Sequence, residues 1–205
     1  MIKEPRFKRQ RRLLMELPGL GKPGALARRP YPPGQHGQSR QKYSEFALQL
    51  EEKQRLRFHY LVREEQFRRL IERAKRVRGA NWMEALINIL EKRLDNLLFR
   101  LGFAQSIPAA RQMISHGKVR VNGKKVDISS QTLKVGDQIS LKDEAYENQA
   151  YYLAKQAPRL ELADFLTKEE VDGKEIGRLI DEPKMEAVPF PFNPNLVISY
   201  YSLRG

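Results

Sequence analysis

Leu94, Leu97, Leu98 and Leu101 recur three and four residues apart, so they share one face of a helix, and Arg93, Asn96 and Arg100 fall off that face. Gly102 suits a left-handed C-terminal cap. Ser106 can cap a second helix, and Pro108 in its first turn costs no hydrogen bond, because those N–H groups have no helical partner anyway. Ile107, Ala110 and Ile114 then face inward, Arg111, Gln112, Ser115 and Lys118 are left outside, and Gly117 ends the helix. There the period changes to two. Val119 and Val121 alternate with Lys118 and Arg120, Asn122-Gly123 is a strong hairpin signal, and Lys124 and Lys125 follow the turn.

Upstream, Phe46 and Leu50 share a helical face that runs on into the charged EEKQRLR. A further helix carries Phe67, Leu70, Ile71, Ala74 and Val77 inside, with Arg68, Arg69, Arg73, Lys75, Arg76 and Arg78 on its other sides. The next pattern is one long stripe from Trp82 through Ala85, Leu86, Ile89 and Leu90 to Leu101, and Trp82, which opens it, is expected in the core. Downstream, Ile139 and Leu141 alternate after a Gly136-Asp137 turn. Residues 144–154 read as one helix packing through Tyr146, Ala150, Tyr151 and Leu153. Asp172-Gly173 marks a hairpin, PFPFNP an irregular linker, and Leu196 to Tyr201 a closing strand.

Charge sharpens this picture. The 205 residues carry a net charge of +13, but residues 1–125 hold 29 Lys and Arg against 11 Asp and Glu, whereas residues 126–205 hold 9 against 14. A basic body with an acidic late chain points to a polyanion on one side and to something else on the other. Residues 1–42, with Lys8, Arg9, Arg11 and Arg12 followed by Arg28, Arg29 and PYPPGQHG, have little periodicity and are expected to order only against a partner. No run approaches the ~20 apolar residues of a membrane span and the N-terminus has no apolar core, which predicts a soluble intracellular protein without a membrane partner.

Catalytic chemistry finds little foothold. The three histidines, His36, His59 and His116, lie in different segments without metal-pair spacing, and the chain has no cysteine. LPGLGKPG lacks the spacing and the Ser or Thr of a phosphate-binding loop. No metal site, cofactor, catalytic residue or small-molecule substrate is expected. The helix and hairpin of residues 93–126 instead present cations beside amides, a surface suited to folded RNA, although a merely solvated basic face would look the same.

RLDNLLFRLGF, ARQMISHGKVRVNGKKVDI and the later VGDQISLKD resemble the RNA-binding module typified by the small-subunit ribosomal protein four family. That module also occurs in pseudouridine synthases, some bacterial tyrosyl-tRNA synthetases and a heat-shock ribosome-recycling protein, so an RNA-modifying enzyme is the competing reading. PPGQHG, YSEFALQLEEKQRLRFHYLVREEQF, LTKEEVDGKEIGRL and LVISYYS resemble further stretches of the same ribosomal family, in the same order, over nearly the whole chain. An enzyme would need a catalytic domain of ~100–200 residues, and a mid-chain module leaves about ninety on either side. Many family members carry zinc-binding cysteines near the N-terminus; this chain resembles the cysteine-free branch, which implies an N-terminal fold held by packing and RNA contact.

The resemblance implies an α+β fold: a helical domain with an inserted small α/β RNA-binding module (two helices plus a short antiparallel sheet) and an extended basic N-terminal segment. The expected divisions are residues 1–42, residues 43–92 with 146–205, and the module at residues 93–145. The expected RNA contacts are Arg93, Asn96, Arg100, Arg111, Gln112, Ser115, His116, Lys118, Arg120, Asn122, Lys124 and Lys125, with Arg9, Arg11 and Arg12 from the N-terminal segment. By resemblance Arg40 and Lys42 line the channel through which messenger RNA enters. The implied role is a structural constituent of the small subunit that binds its ribosomal RNA first, nucleates assembly of the subunit body and contributes to decoding accuracy. Ribosomal protein five is the implied neighbour, contacting the late chain and the helix after PPGQHG, and protein three is a further candidate; Phe190, Phe192, Tyr200 and Tyr201 offer apolar anchors for such a contact, with packing against the chain's own body the favoured role for Tyr200 and Tyr201. The implied location is the cytoplasmic ribosome, and an organellar ribosome fits the same pattern.

Overall fold

The computed structural model describes residues 6–21, 24, 26–39, 42–77 and 81–202. In chain order these form α1 (Arg6–Leu13), α2 (Glu45–His59), α3 (Glu64–Lys75), α4 (Trp82–Glu91), α5 (Leu94–Arg100), α6 (Ile107–Ser115), β1 (Val119–Val121), β2 (Lys124–Val126), β3 (Gln138–Leu141), α7 (Asp143–Tyr146), α8 (Gln149–Gln156), β4 (Leu166–Val171), β5 (Lys174–Leu179), a 3-10 turn at Met185–Ala187 and α9 (Pro194–Ser202). The architecture is α+β, helices with one small antiparallel sheet. The chain divides into two units, Met1–Arg68 with Phe190–Gly205, and Arg69–Pro189, so the boundary falls inside α3. That differs from the division expected from the sequence pattern, which assigned α4 and the whole late chain to the helical body.

The first unit is built on α2 and α9. Ser44 caps α2 by accepting from Ala47 N at 3.2 Å. The charged run of α2 does not simply face solvent: Gln49, Glu52 and Lys53 are all buried. Lys53 Nζ donates to Glu64 Oε1 at 2.9 Å and to the Tyr200 hydroxyl at 3.3 Å, and lies 4.6 Å from the centre of the Tyr200 ring. Glu52 pairs with Arg55 and accepts from Asn193 N at 3.2 Å. Burying charge is tolerable only with such partners. Residues 196–201 are helix, not the strand that their β-branched and aromatic composition favours. Pro194 starts α9, Asn193 Oδ1 accepts from Asn195 N at 3.0 Å, and one helical face buries Val197 and Tyr200, so packing onto α2 overrides a weak local preference.

The N-terminal segment also departs from expectation, since residues 6–20 fold within the chain itself. Leu13, Leu17 and Leu20 are buried, and Gln10 Nε2 donates to Leu17 O at 3.4 Å. Arg11 donates to the carbonyls of Tyr31 and Pro32 at 3.0 and 3.3 Å, holding the turn that leads into PPGQHG. In that turn Gly37 sits so close to the Pro32 carbonyl that a Cβ would overlap it, which explains the second glycine of the motif.

In the second unit the stripe expected as one helix breaks after Glu91. Arg93 is extended and bridges to Thr132, and the loop before β3 supplies carbonyls to the first N–H groups of α5, from Leu94 N to Gln131 O at 2.8 Å and from Asp95 N to Ser129 O at 3.1 Å. Trp82, expected in the core, is only half-buried at the start of α4, with Lys75 Nζ 5.7 Å from its ring centre, and Met83 takes the interior position. The sheet has the order β2-β1-β3-β5-β4, every pair antiparallel, so the late β4–β5 hairpin extends the small sheet of β1, β2 and β3. Leu97, Leu98, Leu101, Phe103, Ile114, Val119, Ile139 and Leu179 make the core between helices and sheet. Gly177 on β5 fits directly against Leu101, where any side chain would collide.

The single helix expected over residues 144–154 is two short ones. Asn148 interrupts it by capping α8, accepting from Ala150 N at 2.9 Å; Tyr151 packs inward, while Ala150 and Leu153 are exposed.

Three glutamates tie these units internally. Burial opposes ionisation of Glu64, Glu175 and Glu182, but Lys53 and Arg57 around Glu64, Tyr151, Lys168 and Lys155 around Glu175, and Lys92 with Asn88 around Glu182 outweigh it and hold each carboxyl below its usual range. A depressed folded pKa adds stability that is complete above the unfolded value, about 4.3, and is lost as pH falls through the folded one. The melting temperature is therefore expected to hold between pH 7 and 5 and to drop on acidification below about pH 4; an unchanged melting temperature at pH 3 would show that these pairs contribute nothing.

Candidate nucleic-acid interface

The expected RNA contacts fall into two classes. Asn96 and Arg100, expected outside α5, are buried at 1% and 6% exposure. Asn96 Nδ2 donates to Glu91 Oε2 at 2.7 Å and to its carbonyl at 3.1 Å; Arg100 pairs with the same carboxylate at 3.5 Å and donates to Ala187 O. Arg93 clamps the buried Asp95 carboxylate with two bonds, at 3.1 and 2.8 Å, and Arg111 reaches the same carboxylate at 2.7 Å. These four side chains lock α5 to its surroundings, and α5, shielded on all sides, presents no polar face to solvent. The expectation placed them outside because a leucine stripe shows which face is apolar, not whether the other face is also covered. Arg111 alone keeps substantial exposure, 29% of its side chain.

The other class stays on the surface. Gln112, Ser115 and His116 are exposed at the end of α6, where Ser115 Oγ donates to Gln112 O at 3.0 Å. Lys118 is half-exposed, and Arg120, Lys124 and Lys125 are exposed on the β1–β2 hairpin. The register sets Arg120 directly opposite Lys125. Like charges so placed oppose folding, and they concentrate positive potential on one face. Asn122 serves the turn: it takes the left-handed conformation, donates to Asp137 Oδ1 at 2.8 Å and accepts from Gln138 N at 2.9 Å.

Beside this face lies a cleft of about 310 Å³. Gln105, Gln112, His116, Lys118 and Asn148 supply its polar wall, around Ala109 and Met113. Gln105 and Asn148 escaped the sequence reading because they come from the α5–α6 loop and from the start of α8, and no local pattern links them.

In the first unit Arg12 is exposed, Arg9 stacks 4.5 Å over the Phe58 ring, and Arg11 is occupied with the carbonyls of Tyr31 and Pro32. Lys42 is exposed, whereas Arg40 lies outside the described residues. On α3 Arg68, Arg69, Arg73 and Lys75 are exposed, as is Arg76 just past its end; this charge run was visible in the sequence but absent from the candidate contacts.

A helix end and a hairpin that share one cationic, amide-bearing surface, set on an α+β frame, make the class of surface suited to nucleic acid. Residues 92–139 match the family described as S4 domain, and residues 1–91 match that described as Ribosomal protein S4/S9 N-terminal domain. The chain is 74% identical over 203 residues to small ribosomal subunit protein uS4B of Bdellovibrio bacteriovorus, a match that spans 99% of this chain and 98% of the relative. It is 44% identical over 199 residues to the uS4 proteins of a Cyanothece species and of Nostoc punctiforme, spanning 97% of this chain and 96% of each relative. The chain belongs to the uS4 family of small ribosomal subunit proteins.

Proposed function

We propose that this chain binds small-subunit ribosomal RNA through the end of α6 and the β1–β2 hairpin, with Arg111, Gln112, Ser115, His116, Lys118, Arg120, Lys124 and Lys125 as the contact set. It is a structural, non-enzymatic protein of the small ribosomal subunit in the cytoplasmic ribosome, as its relatives' names and their whole-chain similarity support. The observation that carries the RNA face is the cross-strand pairing of Arg120 with Lys125 beside exposed Lys124. Phosphate attraction makes such a pairing useful where folding alone disfavours it. Helix end and hairpin together form a shaped surface, which selects an RNA junction rather than a sequence, and clamping that junction would nucleate assembly of the subunit body.

The test is titration of the full chain with small-subunit ribosomal RNA at several salt concentrations. Arg120→Ala with Lys124→Ala is expected to weaken binding about tenfold or more and to make the salt slope shallower by roughly one unit for each phosphate no longer neutralised. Unchanged affinity and slope would remove this face from the interface.

Two finer contacts belong to the same reading. Lys42, with its neighbour Arg40, is proposed to hold messenger RNA as it enters the subunit. Changing both to Glu should leave ribosomal RNA binding intact and slow translation through structured messages in a reconstituted system; a severe assembly defect would instead place both in the ribosomal RNA interface. The exposed carboxylates of Glu169, Glu170 and Asp172 on the β4–β5 hairpin would be repelled by phosphate within the ~8 Å screening length, so this edge is proposed to meet a neighbouring protein, five or three, and thereby to bear on decoding accuracy.

A further inference from the structure

We infer that the cleft between the end of α6 and the start of α8 receives one unpaired, unstacked nucleotide of the bound RNA. The inference rests on the RNA-contact reading above and goes beyond it, because a basic face needs no cleft to attract phosphate. At about 310 Å³ the cleft is at the small end of ligand-sized pockets, roughly 300–1,000 Å³, so it suits one nucleotide and excludes a duplex.

Its chemistry matches a base better than a phosphate. Ala109 and Met113 offer an apolar floor for the flat face of a ring, and His116 an edge of aromatic surface. Gln105, Gln112 and Asn148 each bear an amide, which presents donor and acceptor together, as the edges of nucleobases do. Asn148 Oδ1 already accepts from Ala150 N, which leaves the Nδ2 donors as its contribution to a ligand. None of the residues lining the cleft is a carboxylate, so nothing there repels the incoming strand.

The cleft also opens where phosphates would be held. Lys118 lines it and leads directly into β1 and Arg120. Lys125 folds back from β2 over Gly117, with its ammonium 3.0 Å from where a Cβ on Gly117 would be, so a second cation sits at the junction of α6 and β1. Gly117 has φ +65°, and its missing side chain is what admits this lysine. A strand whose flanking phosphates rest on Lys118 and Lys125 can therefore turn a single base into the cleft. Asn148 and Ala150 lie beyond residues 92–139, so the part of the chain matched as S4 domain supplies only part of this pocket.

The experiment uses the full chain and transcribed small-subunit ribosomal RNA of Bdellovibrio bacteriovorus, probed with dimethyl sulfate. Ala150→Trp, on the exposed rim, fills the cleft; Gln105→Leu, on the α5–α6 loop and outside the proposed contact set, removes one amide. Both are expected to keep the wild-type melting temperature and salt slope, to weaken RNA binding about tenfold and severalfold respectively, and to expose one or two unpaired nucleotides that the wild-type chain protects. If Arg120→Ala with Lys124→Ala weakens binding while both cleft variants bind and protect as wild type, the cleft receives no nucleotide and the inference is overturned, although the RNA face stands. If the double variant itself binds as wild type, it is the RNA-face reading that fails. Should Ala150→Trp melt early, Gln105→Leu alone decides, and wild-type affinity and protection with that variant overturn the inference.

Discussion

Deleting residues 190–205 is expected to unfold the first unit. The segment carries Phe190, Val197 and Tyr200, all buried, and each buried side chain of this size contributes about 1.5–3 kcal/mol. Their combined removal rivals the whole stability of a typical domain, about 5–15 kcal/mol. The deletion also strips Lys53 of the Tyr200 hydroxyl and Glu52 of the Asn193 N–H, leaving buried charges on α2 with fewer partners. Hydrogen exchange of the truncated chain should show the amides of α2 losing protection while those of β1, β3 and β5 keep theirs. Persistent protection across α2 would mean that α9 is an ornament. The deletion is thus a poor probe of a protein contact: of the four aromatic anchors that the sequence offered to a neighbouring protein, Phe190 and Tyr200 are used inside the chain, and Phe192 and Tyr201 are partly covered.

Asp95→Ala is expected to destabilise the second unit strongly. The carboxylate is 1% exposed, it accepts from both Arg93 and Arg111, and it also accepts from Asn96 N at 2.9 Å. Removing it takes the shared carboxylate from two guanidinium groups, and loss of one partner of a buried ion pair costs about 3–5 kcal/mol. For a unit of this size that corresponds to a fall in melting temperature on the order of 10 °C. Asp95→Asn keeps the shape and one acceptor, so a smaller loss in the same direction is expected. A cost below about 1 kcal/mol for the alanine variant would put the cluster on a par with exposed surface pairs and would refute its structural role. The variant should also disturb RNA binding, since Arg111 would lose the anchor that fixes it beside the α6 surface.

Features governed by a few neighbouring residues were legible along the chain: the Ser106 cap accepts from Ala109 N at 3.3 Å, Gly102 and Gly117 take the left-handed conformation, and Asn122-Gly123 and Asp172-Gly173 turn their hairpins with both residues at positive φ. The candidate surface was legible in the same degree where it is local, since Gln112 to Lys125 form a continuous stretch whose apolar and polar positions alternate with the element that holds them. The cleft was not, because Gln105 and Asn148 come from separate segments joined only by the fold.

By itself, then, the sequence determined the local geometry: caps, turns, periods and the excess of positive charge over residues 1–125, each set by steric and hydrogen-bonding preferences that act within a few residues. Only the tertiary structure decided which polar groups are surface and which are frame. Arg93, Asn96 and Arg100 look like contacts along the chain, yet Glu91, Asp95 and the carbonyl of Ala187 claim them. Residues 196–201 look like a strand, yet docking on α2 makes them a helix. In both cases the deciding energy is burial against residues distant in the chain, which outweighs the fraction of a kcal/mol per residue that local preference supplies.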